Sequence, residues 1–258
     1  MARYFPINVN QAKHFCEEMQ IEIGVFVLSS DQGFEADLIT LLPRWVKVNV
    51  VRMPSYINCA SRGSDHKDEL FSTAKLLADC VGIEYAIYGC TSGELIFGKH
   101  YIIEALNSVL PDVHVIAPIS ATIDACKELS LDLISILSPY DRALNRKLCD
   151  EFKSNGISVE NVYEFALQRD ASSSRLNRHF FEDAAKIINE NGSKALFVPC
   201  NALSVVKHIS SMEAHLDLPV LTSTQVSVWK ILRLSRPGSL TILKKFGAIY
   251  GNDGGGVQ

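Results

Sequence analysis

Residues 84–93 read EYAIYGCTSG, an apolar run that ends in a glycine, a cysteine, two hydroxyl residues and a second glycine. Such a run is typical of a buried strand, and the small residues after it are typical of a turn into a helix. Ligands bind at the carboxyl ends of strands in open α/β sheets. Cys90 is therefore either a small buried residue that fills space or a reagent at a binding edge.

The rest of the chain alternates apolar runs of strand length with longer stretches of helical periodicity. This alternation predicts an α/β fold with mainly parallel sheets. The predicted strands are residues 21–28, 46–53, 84–89, 114–118, 133–137, 157–165, 194–199 and 219–223.

The eight predicted strands form two similar sets of four. The segment YAIYGCTS around Cys90 is matched by ALFVPCNA around Cys200, 110 positions later, and VFVLSS is matched by ISILSPY. A repeat of this length indicates a duplicated α/β unit, because solenoid repeats are about 20 to 50 residues long. We predict two similar lobes with parallel sheets, related by pseudo-twofold symmetry: residues 1–118, onto which residues 224–258 pack, and residues 119–223.

A cysteine at the matching corner of both halves favours a functional pair over incidental packing. Opposed lobes would place Cys90 and Cys200 on opposite walls of one cleft. A trigonal intermediate between the thiols could be attacked or deprotonated on one face and protonated on the other, as in an isomerase or a racemase. A helix after each cysteine would favour the thiolate, and the N–H groups of residues 91–93 and 201–203 would bind the substrate carboxylate.

The bulk composition excludes several classes of protein. The chain has 258 residues and a formal net charge of −4, with no basic surface signal for nucleic acid. No membrane span or signal peptide is predicted, so the cytoplasm is the expected compartment. Seven scattered cysteines without a CxxC pair indicate reduced thiols, and the histidines lack metal-ligand spacing, so no metal site is expected. The sequence leaves the oligomeric state open and is compatible with a homo-oligomer.

Five motifs occur in order between about residues 21 and 235: IGVFVLSSDQGFEADL, YGCTSG, ILSPYDRALN, VPCNAL and PVLTSTQVSVWKILRL. Together they resemble the aspartate/glutamate racemase superfamily, in particular its branch of maleate cis-trans isomerases and arylmalonate decarboxylases. The resemblance implies two flavodoxin-like lobes, no cofactor, and catalysis by cysteine on a small carboxylic acid. Arylmalonate decarboxylases keep only the second thiol, so the presence of both thiols favours isomerase chemistry.

The resemblance also assigns roles to individual residues. Cys90 would match the thiol that adds to the alkene in maleate isomerases, and Cys200 would match the thiol that supplies the proton. Tyr140 would match the substrate-binding tyrosine. The polar residues beside the cysteines would hold carboxylates, although capping of the following helices is an alternative role for them. These residues are Thr91, Ser92 and Asn201.

Two aspartates depart from the family pattern. Maleate isomerases have asparagines where this chain has Asp31 and, in the second lobe, Asp170. Two amide donors would thus be replaced by groups that only accept hydrogen bonds, and a dianionic substrate would be repelled unless Arg169 or another cation compensates. An aspartate after the first strand also resembles glutamate racemases, whose substrate carries an ammonium group. The alternative is that each aspartate only stabilises a turn.

The sequence therefore predicts a cofactor-independent isomerase or racemase that acts on a maleate-like acid or an amino acid. Two other functions stay open. One is an arylmalonate-type decarboxylase that uses Cys200 as its proton donor, and the other is a ligand-binding protein that keeps the fold without turnover.

Overall fold

The computed structural model describes five parts of the chain, residues 21–55, 63–80, 82–166, 174–188 and 192–251. Among these residues no helix has the length and apolar character needed to cross a membrane.

The first half of the chain folds into a four-stranded parallel sheet with the strand order β2-β1-β3-β4. The central strand β1 is almost wholly buried, whereas the edge strand β2 is largely half-exposed. The elements of this half are β1 (Ile21–Leu28), α1 (Phe34–Leu41), β2 (Val46–Met53), α2 (Gly63–Lys75), β3 (Ile83–Gly89), α3 (Thr91–Phe97), α4 (Lys99–Asn107), β4 (His114–Ile116) and α5 (Pro118–Glu128).

The second half repeats this arrangement in a parallel sheet with the order β6-β5-β7-β8. Short 3-10 segments at Val206–His208, Pro237–Phe246 and Ala248–Tyr250 interrupt or follow its helices. The main elements are β5 (Leu133–Ser138), α6 (Arg142–Ser154), β6 (Ser158–Glu164), α7 (Arg178–Ile187), β7 (Ala195–Val198), α8 (Ile209–Leu216), β8 (Val220–Thr222) and α9 (Ser223–Ser235).

The two sheets confirm the predicted α/β fold with two similar lobes. Differences from the predicted strands are confined to their ends. Strand β4, expected over residues 114–118, ends at Ile116 because Pro118 opens α5. Proline has no N–H to donate to a neighbouring strand but is well suited to the first turn of a helix.

The lobes share one apolar core, which contains buried side chains of both sheets such as Ile23, Ile87, Ile136 and Phe197. A second, smaller cluster covers one face of the first sheet. Because the larger cluster is continuous across the halves, burial of apolar surface holds the lobes together as well as each sheet.

Helices α5 and α9, which end the two repeats, pack against each other. Two ion pairs cross this contact: Lys230 to Asp124 at 2.9 Å and Arg233 to Glu128 at 2.5 Å. Helix α9 also contacts α1, β3 and β4 of the first lobe. We propose the division of the chain stated above, 1–118 with 224–258 and 119–223, and the contacts of α9 support it.

Trp229 should contribute far more to stability than the neighbouring ion pair. Its side chain is 1% exposed in the shared core, and truncation of a buried tryptophan costs about 3–5 kcal/mol. Trp229→Ala should lower the free energy of unfolding by that amount in a urea titration. Lys230→Ala, on the same helix, is the control and should cost at most about 1 kcal/mol because exposed ion pairs contribute little. Equal losses in both variants would contradict a core that joins the lobes through α9.

Candidate active site

Cys90 lies at the carboxyl end of β3 and caps the amino end of α3. Its backbone is extended, and its Sγ accepts the N–H of Gly93 at 3.2 Å. The Ser92 hydroxyl oxygen is 3.5 Å from the same sulfur, and Cys90 is 5% exposed. The thiol thus occupies the position that Ser, Thr, Asp or Asn takes in most helix caps. An N–H donated to sulfur stabilises a thiolate more than a thiol.

The capping geometry at Cys90 depends on Gly93. A Cβ on Gly93 would overlap the hydroxyl of Tyr88 and would lie 3.1 Å from the Cys90 sulfur. The Tyr88 hydroxyl is in turn 3.2 Å from Nε2 of His66, which is completely buried and stacks on Phe97 at the end of α3. The first turn of α3 is therefore enclosed by aromatic side chains on the side of Gly93.

Cys200 lies at the equivalent end of β7, but its local structure differs from that of Cys90. Its φ of 81° is in the left-handed region, which side chains other than glycine seldom adopt. The chain then turns back, and the N–H of Leu203 donates to the Cys200 carbonyl oxygen at 3.1 Å. The next helical residues are the 3-10 segment Val206–His208, so the helix expected directly after each cysteine follows only Cys90.

The residues that follow the two cysteines contact each other directly. The Thr91 hydroxyl donates to Oδ1 of Asn201 at 2.9 Å and lies 2.8 Å from the hydroxyl of Ser223, the first residue of α9. All three side chains are buried. The Nδ2 of Asn201 is buried without a hydrogen-bond acceptor in the described part of the chain. A buried donor of this kind is costly to leave unpaired and is suited to a ligand oxygen.

Tyr140, which follows β5, lies near both thiols. Its side chain lies close enough to those of Thr91 and Cys200 for both to shift the pKa of its hydroxyl. Burial, together with the negative charge that Cys200 and Cys90 would carry, raises the pKa of Tyr140 well above its usual value. The hydroxyl therefore keeps its proton at neutral pH and can donate it in a hydrogen bond to an anion.

The main chain at Tyr140 is fixed by two buried polar side chains. Its N–H donates to the Ser138 hydroxyl at 3.1 Å, and its carbonyl oxygen accepts from the Asn145 amide at 3.0 Å. Ser138 also donates to Asn145 at 2.7 Å, so strand β5 and helix α6 hold the loop between them. The tyrosine is thus presented to the cysteines from a rigid support.

Asp31 stabilises the turn after β1. It is 3% exposed, and its Oδ1 accepts the N–H groups of Gly33 at 2.8 Å and Phe34 at 2.9 Å. These bonds supply the turn role that the sequence offered as an alternative, while substrate binding by Asp31 stays a prediction. Asp170 lies outside the described residues, as does Arg169.

The expected cradle of backbone N–H groups is only partly available. The N–H of Gly93 is engaged by the Cys90 sulfur and that of Leu203 by the Cys200 carbonyl. Because these two N–H groups already cap a helix and close a turn, we expect side chains rather than backbone N–H groups to bind most of the ligand. Within the described ranges, no cluster of His, Cys, Asp and Glu has the arrangement of a metal site.

Sequence reasoning missed Ser223 and Tyr88 as parts of this site, and it expected the N–H of Gly93 to bind the substrate carboxylate rather than the Cys90 sulfur. Ser223 follows β8 at the same sheet edge as the cysteines, so the carboxyl-end rule that found Cys90 could also have found it. Gly93 is the last letter of the YGCTSG motif, and its position three residues after Cys90 is that of the N–H that a capping side chain accepts. Tyr88 carried no signal beyond its place in an apolar strand.

Gly93→Ala should damage the site although alanine is the better helix former. A Gly-to-Ala change in a helix normally gains about 1 kcal/mol, but here the methyl group would overlap Tyr88 and displace the first turn of α3. We expect slower alkylation of Cys90 by iodoacetamide, followed by mass spectrometry. Gly238→Ala is the matched control, because its Cβ would meet nothing within 4 Å. Unchanged alkylation of Cys90 in the Gly93 variant would contradict the steric argument.

Sequence comparison relates the chain to two kinds of enzyme. A family model described as arylmalonate decarboxylase matches residues 103–241, more than half of the chain. The maleate isomerase of Alcaligenes faecalis is 22% identical over 123 residues, which are 47% of this chain and 49% of that protein. The chain therefore matches about half the length of this curated relative.

Two solved structures share the fold over nearly the whole chain. The maleate isomerase Iso of Pseudomonas putida S16, a cysteine-to-alanine variant with maleate, has a TM-score of 0.76 and 16% identity, covering 89% of this chain and 97% of its own. The Nocardia farcinica maleate cis-trans isomerase, a cysteine-to-serine variant with a covalently bound succinylcysteine intermediate, has a TM-score of 0.76 and 17% identity, covering 89% and 98%. These structures share the fold of the chain. The family match over more than half of its length shows that the chain belongs to the arylmalonate decarboxylase family, within the maleate isomerase and arylmalonate decarboxylase branch of the aspartate/glutamate racemase superfamily.

Proposed function

We propose that this protein is a cofactor-independent isomerase of a small unsaturated dicarboxylic acid such as maleate. The observation that carries the proposal is the buried hydrogen bond from Thr91 to Asn201, which joins the residues directly after Cys90 and Cys200. Tyr140 lies close enough to both thiols for their charge to raise its pKa. Two thiols with a protonated phenol near both are what addition to an alkene and delivery of a proton require. The bound maleate and the succinylcysteine of the two related isomerases support this choice.

In the proposed reaction Cys90 is the nucleophile. Its thiolate adds to one alkene carbon, a C–S bond forms, and the electron pair of the double bond moves to the other carbon and its carboxylate. The N–H of Gly93 holds the sulfur before the attack. A thiolate is a far better nucleophile than the neutral group, so a contact that favours the thiolate assists this step.

Cys200 then supplies the proton from the opposite side. The proton passes to the carbanionic carbon and gives a succinyl thioether on Cys90, in which the former double bond is a single bond that can rotate. Return of the same proton to Cys200 re-forms the double bond, the C–S bond breaks, and Cys90 leaves as a thiolate with the product in the trans form. Atoms and charge balance without an external reagent.

Neutral donors would hold the substrate carboxylates. The Nδ2 of Asn201 is a buried donor, and its Oδ1 is fixed by Thr91, so the amide cannot turn without breaking a buried hydrogen bond. Tyr140 adds a second donor. The charge that develops on the carboxylate during addition would be stabilised by these preoriented groups.

Decarboxylation of an arylmalonate-type acid is the second candidate, and the family match over residues 103–241 favours it. Loss of carbon dioxide would leave an enediolate-like anion, with its charge shared by the carbon and the remaining carboxylate, and Cys200 would then protonate that carbon. This reaction leaves Cys90 without a chemical step. Racemisation of an amino acid and ligand binding without turnover are the remaining alternatives, and Asp31 and Asp170 are the residues that would favour them.

Substitution of the cysteines separates these functions. With maleate, Cys90→Ser and Cys200→Ser should each lower kcat by at least about a thousandfold, because a serine hydroxyl is too weakly acidic to replace a thiolate. The double variant should be little worse, since the two residues act as a unit. Cys149→Ser, at a half-exposed thiol on α6, is the control and should keep full activity.

Mass spectrometry gives an independent readout of the same chemistry. A maleate adduct should accumulate on Cys90 in the Cys200→Ser variant and be missing from Cys90→Ser. Decarboxylase activity that survives Cys90→Ser and is lost in Cys200→Ser would favour the second candidate. Incorporation of solvent deuterium into an inverted amino acid would favour racemisation, and binding of every tested acid without turnover would overturn the enzymatic proposal.

A further inference from the structure

Asp37 is a buried carboxylate of the first lobe that contacts the segment following Cys200. It lies in α1, is 6% exposed, and its Oδ2 accepts the N–H of Val206 at 3.2 Å. The N–H of Val205 donates to the Leu203 carbonyl oxygen at 2.9 Å, and its proximity to Asp37 lowers the pKa of that carboxyl group. Nothing in the mechanism above uses Asp37, although its partner Val206 lies only six residues after the proposed proton donor.

The backbone of the segment from Cys200 to Val206 is expected to require stabilising contacts from outside the segment. Cys200 is held at a φ of 81°, a conformation that persists only where the surroundings enforce it. Its supports come from the other lobe. Thr91 holds Asn201, and Gly33 lies so close to Ala202 that an added Cβ would be 2.5 Å from its carbonyl oxygen. Asp37 completes this set at the far end of the segment.

We propose that Asp37 is a positioning residue for Cys200, which acts by fixing the main chain of residues 201–206 from the opposite lobe. The inference rests on the proposed function for the role of Cys200, but the contact and its effect on the segment do not depend on the substrate. A carboxylate accepts an N–H about twice as strongly as a neutral acceptor. Its charge therefore holds the corner better than an amide of the same shape would.

Burial of the charged Asp37 carboxylate lowers the stability of the folded protein, and this effect can be measured. Burial raises the pKa of Asp37 from 3.8 to about 6, against the lowering effect of the N–H donors and of Lys207, while Asp31 adds to the increase. Among the described residues, Lys207 and Asp31 are the charged groups that act on the pKa of Asp37. Because the folded state binds the proton more tightly than the unfolded state, the contribution of Asp37 to stability is greatest below about pH 4 and declines as the pH rises through about 6.

A positioning role and a purely structural role differ in their effect on activity rather than on stability. Asp37→Asn removes the charge, keeps an acceptor oxygen, and should leave the melting temperature at pH 8 equal to or above that of the unmodified protein. The same variant should lower kcat by about tenfold through misplacement of Cys200, and its activity should lose the fall that accompanies protonation near pH 6. A structural hydrogen bond alone would predict the same melting temperature but an unchanged kcat per folded molecule and an unchanged pH profile of activity.

Two measurements without substrate distinguish failure of this inference from failure of the proposed function. Asp37→Ala, which removes the acceptor, should speed amide hydrogen exchange in residues 200–206 and change the iodoacetamide alkylation rate of Cys200 severalfold. The alkylation rate of Cys90 in the same sample should stay constant. Glu35→Gln, which changes an exposed carboxylate of the same helix, is the control.

Exchange and alkylation at wild-type rates in both Asp37 variants would overturn the inference, whatever the substrate proves to be. If Asp37→Ala does not fold, Asp37→Asn provides the same two readouts. If the unmodified protein turns over no maleate, exchange and alkylation still decide whether Asp37 holds the Cys200 segment.

Discussion

The buried hydrogen bond from Thr91 to Asn201 is the interaction on which the candidate site depends. It joins residues 110 positions apart, each directly after a cysteine, and so fixes the separation of the two strand ends. Both partners are almost inaccessible to water, and loss of Thr91 would leave the buried Oδ1 of Asn201 without its donor at a cost of about 1–3 kcal/mol. Ser223 ties the first turn of α9 to the same hydroxyl. A single side chain thus connects both sheets and the helix that packs between them.

The two cysteines occupy equivalent places in a duplicated fold but have different surroundings. Cys90 accepts an N–H in the cap of a regular helix, whereas Cys200 is held in a left-handed corner beside Tyr140. The first environment favours a thiolate, and the second places the sulfur next to a phenol that keeps its proton. Gene duplication supplies two thiols, and this difference in local structure gives them separate tasks in the proposed reaction.

Buried carboxylates recur where the ends of helices and strands meet. Glu94 of α3 accepts the N–H groups of Ile119 and Ser120 at the start of α5, at 2.6 and 3.0 Å, and burial raises its pKa. Glu213 of α8 likewise accepts from Val220 and Ala248. Each carboxylate satisfies main-chain donors that would otherwise be unpaired in the core. Each also joins elements distant in sequence, so these groups help to orient the helices around the site.

The sequence by itself determined the strands, the duplication and the cysteine at each matching corner, because these depend on local apolar periodicity and on where strands end. It also indicated Thr91, Tyr140 and Asn201 through the resemblance of their motifs to the racemase superfamily. Only the tertiary structure decided which contacts they make. The unequal surroundings of Cys90 and Cys200, the enclosure of Gly93 by Tyr88 and the bond from Asp37 to Val206 join residues far apart in the chain. Their distances are set by how the lobes pack, and no pattern within either repeat encodes that packing.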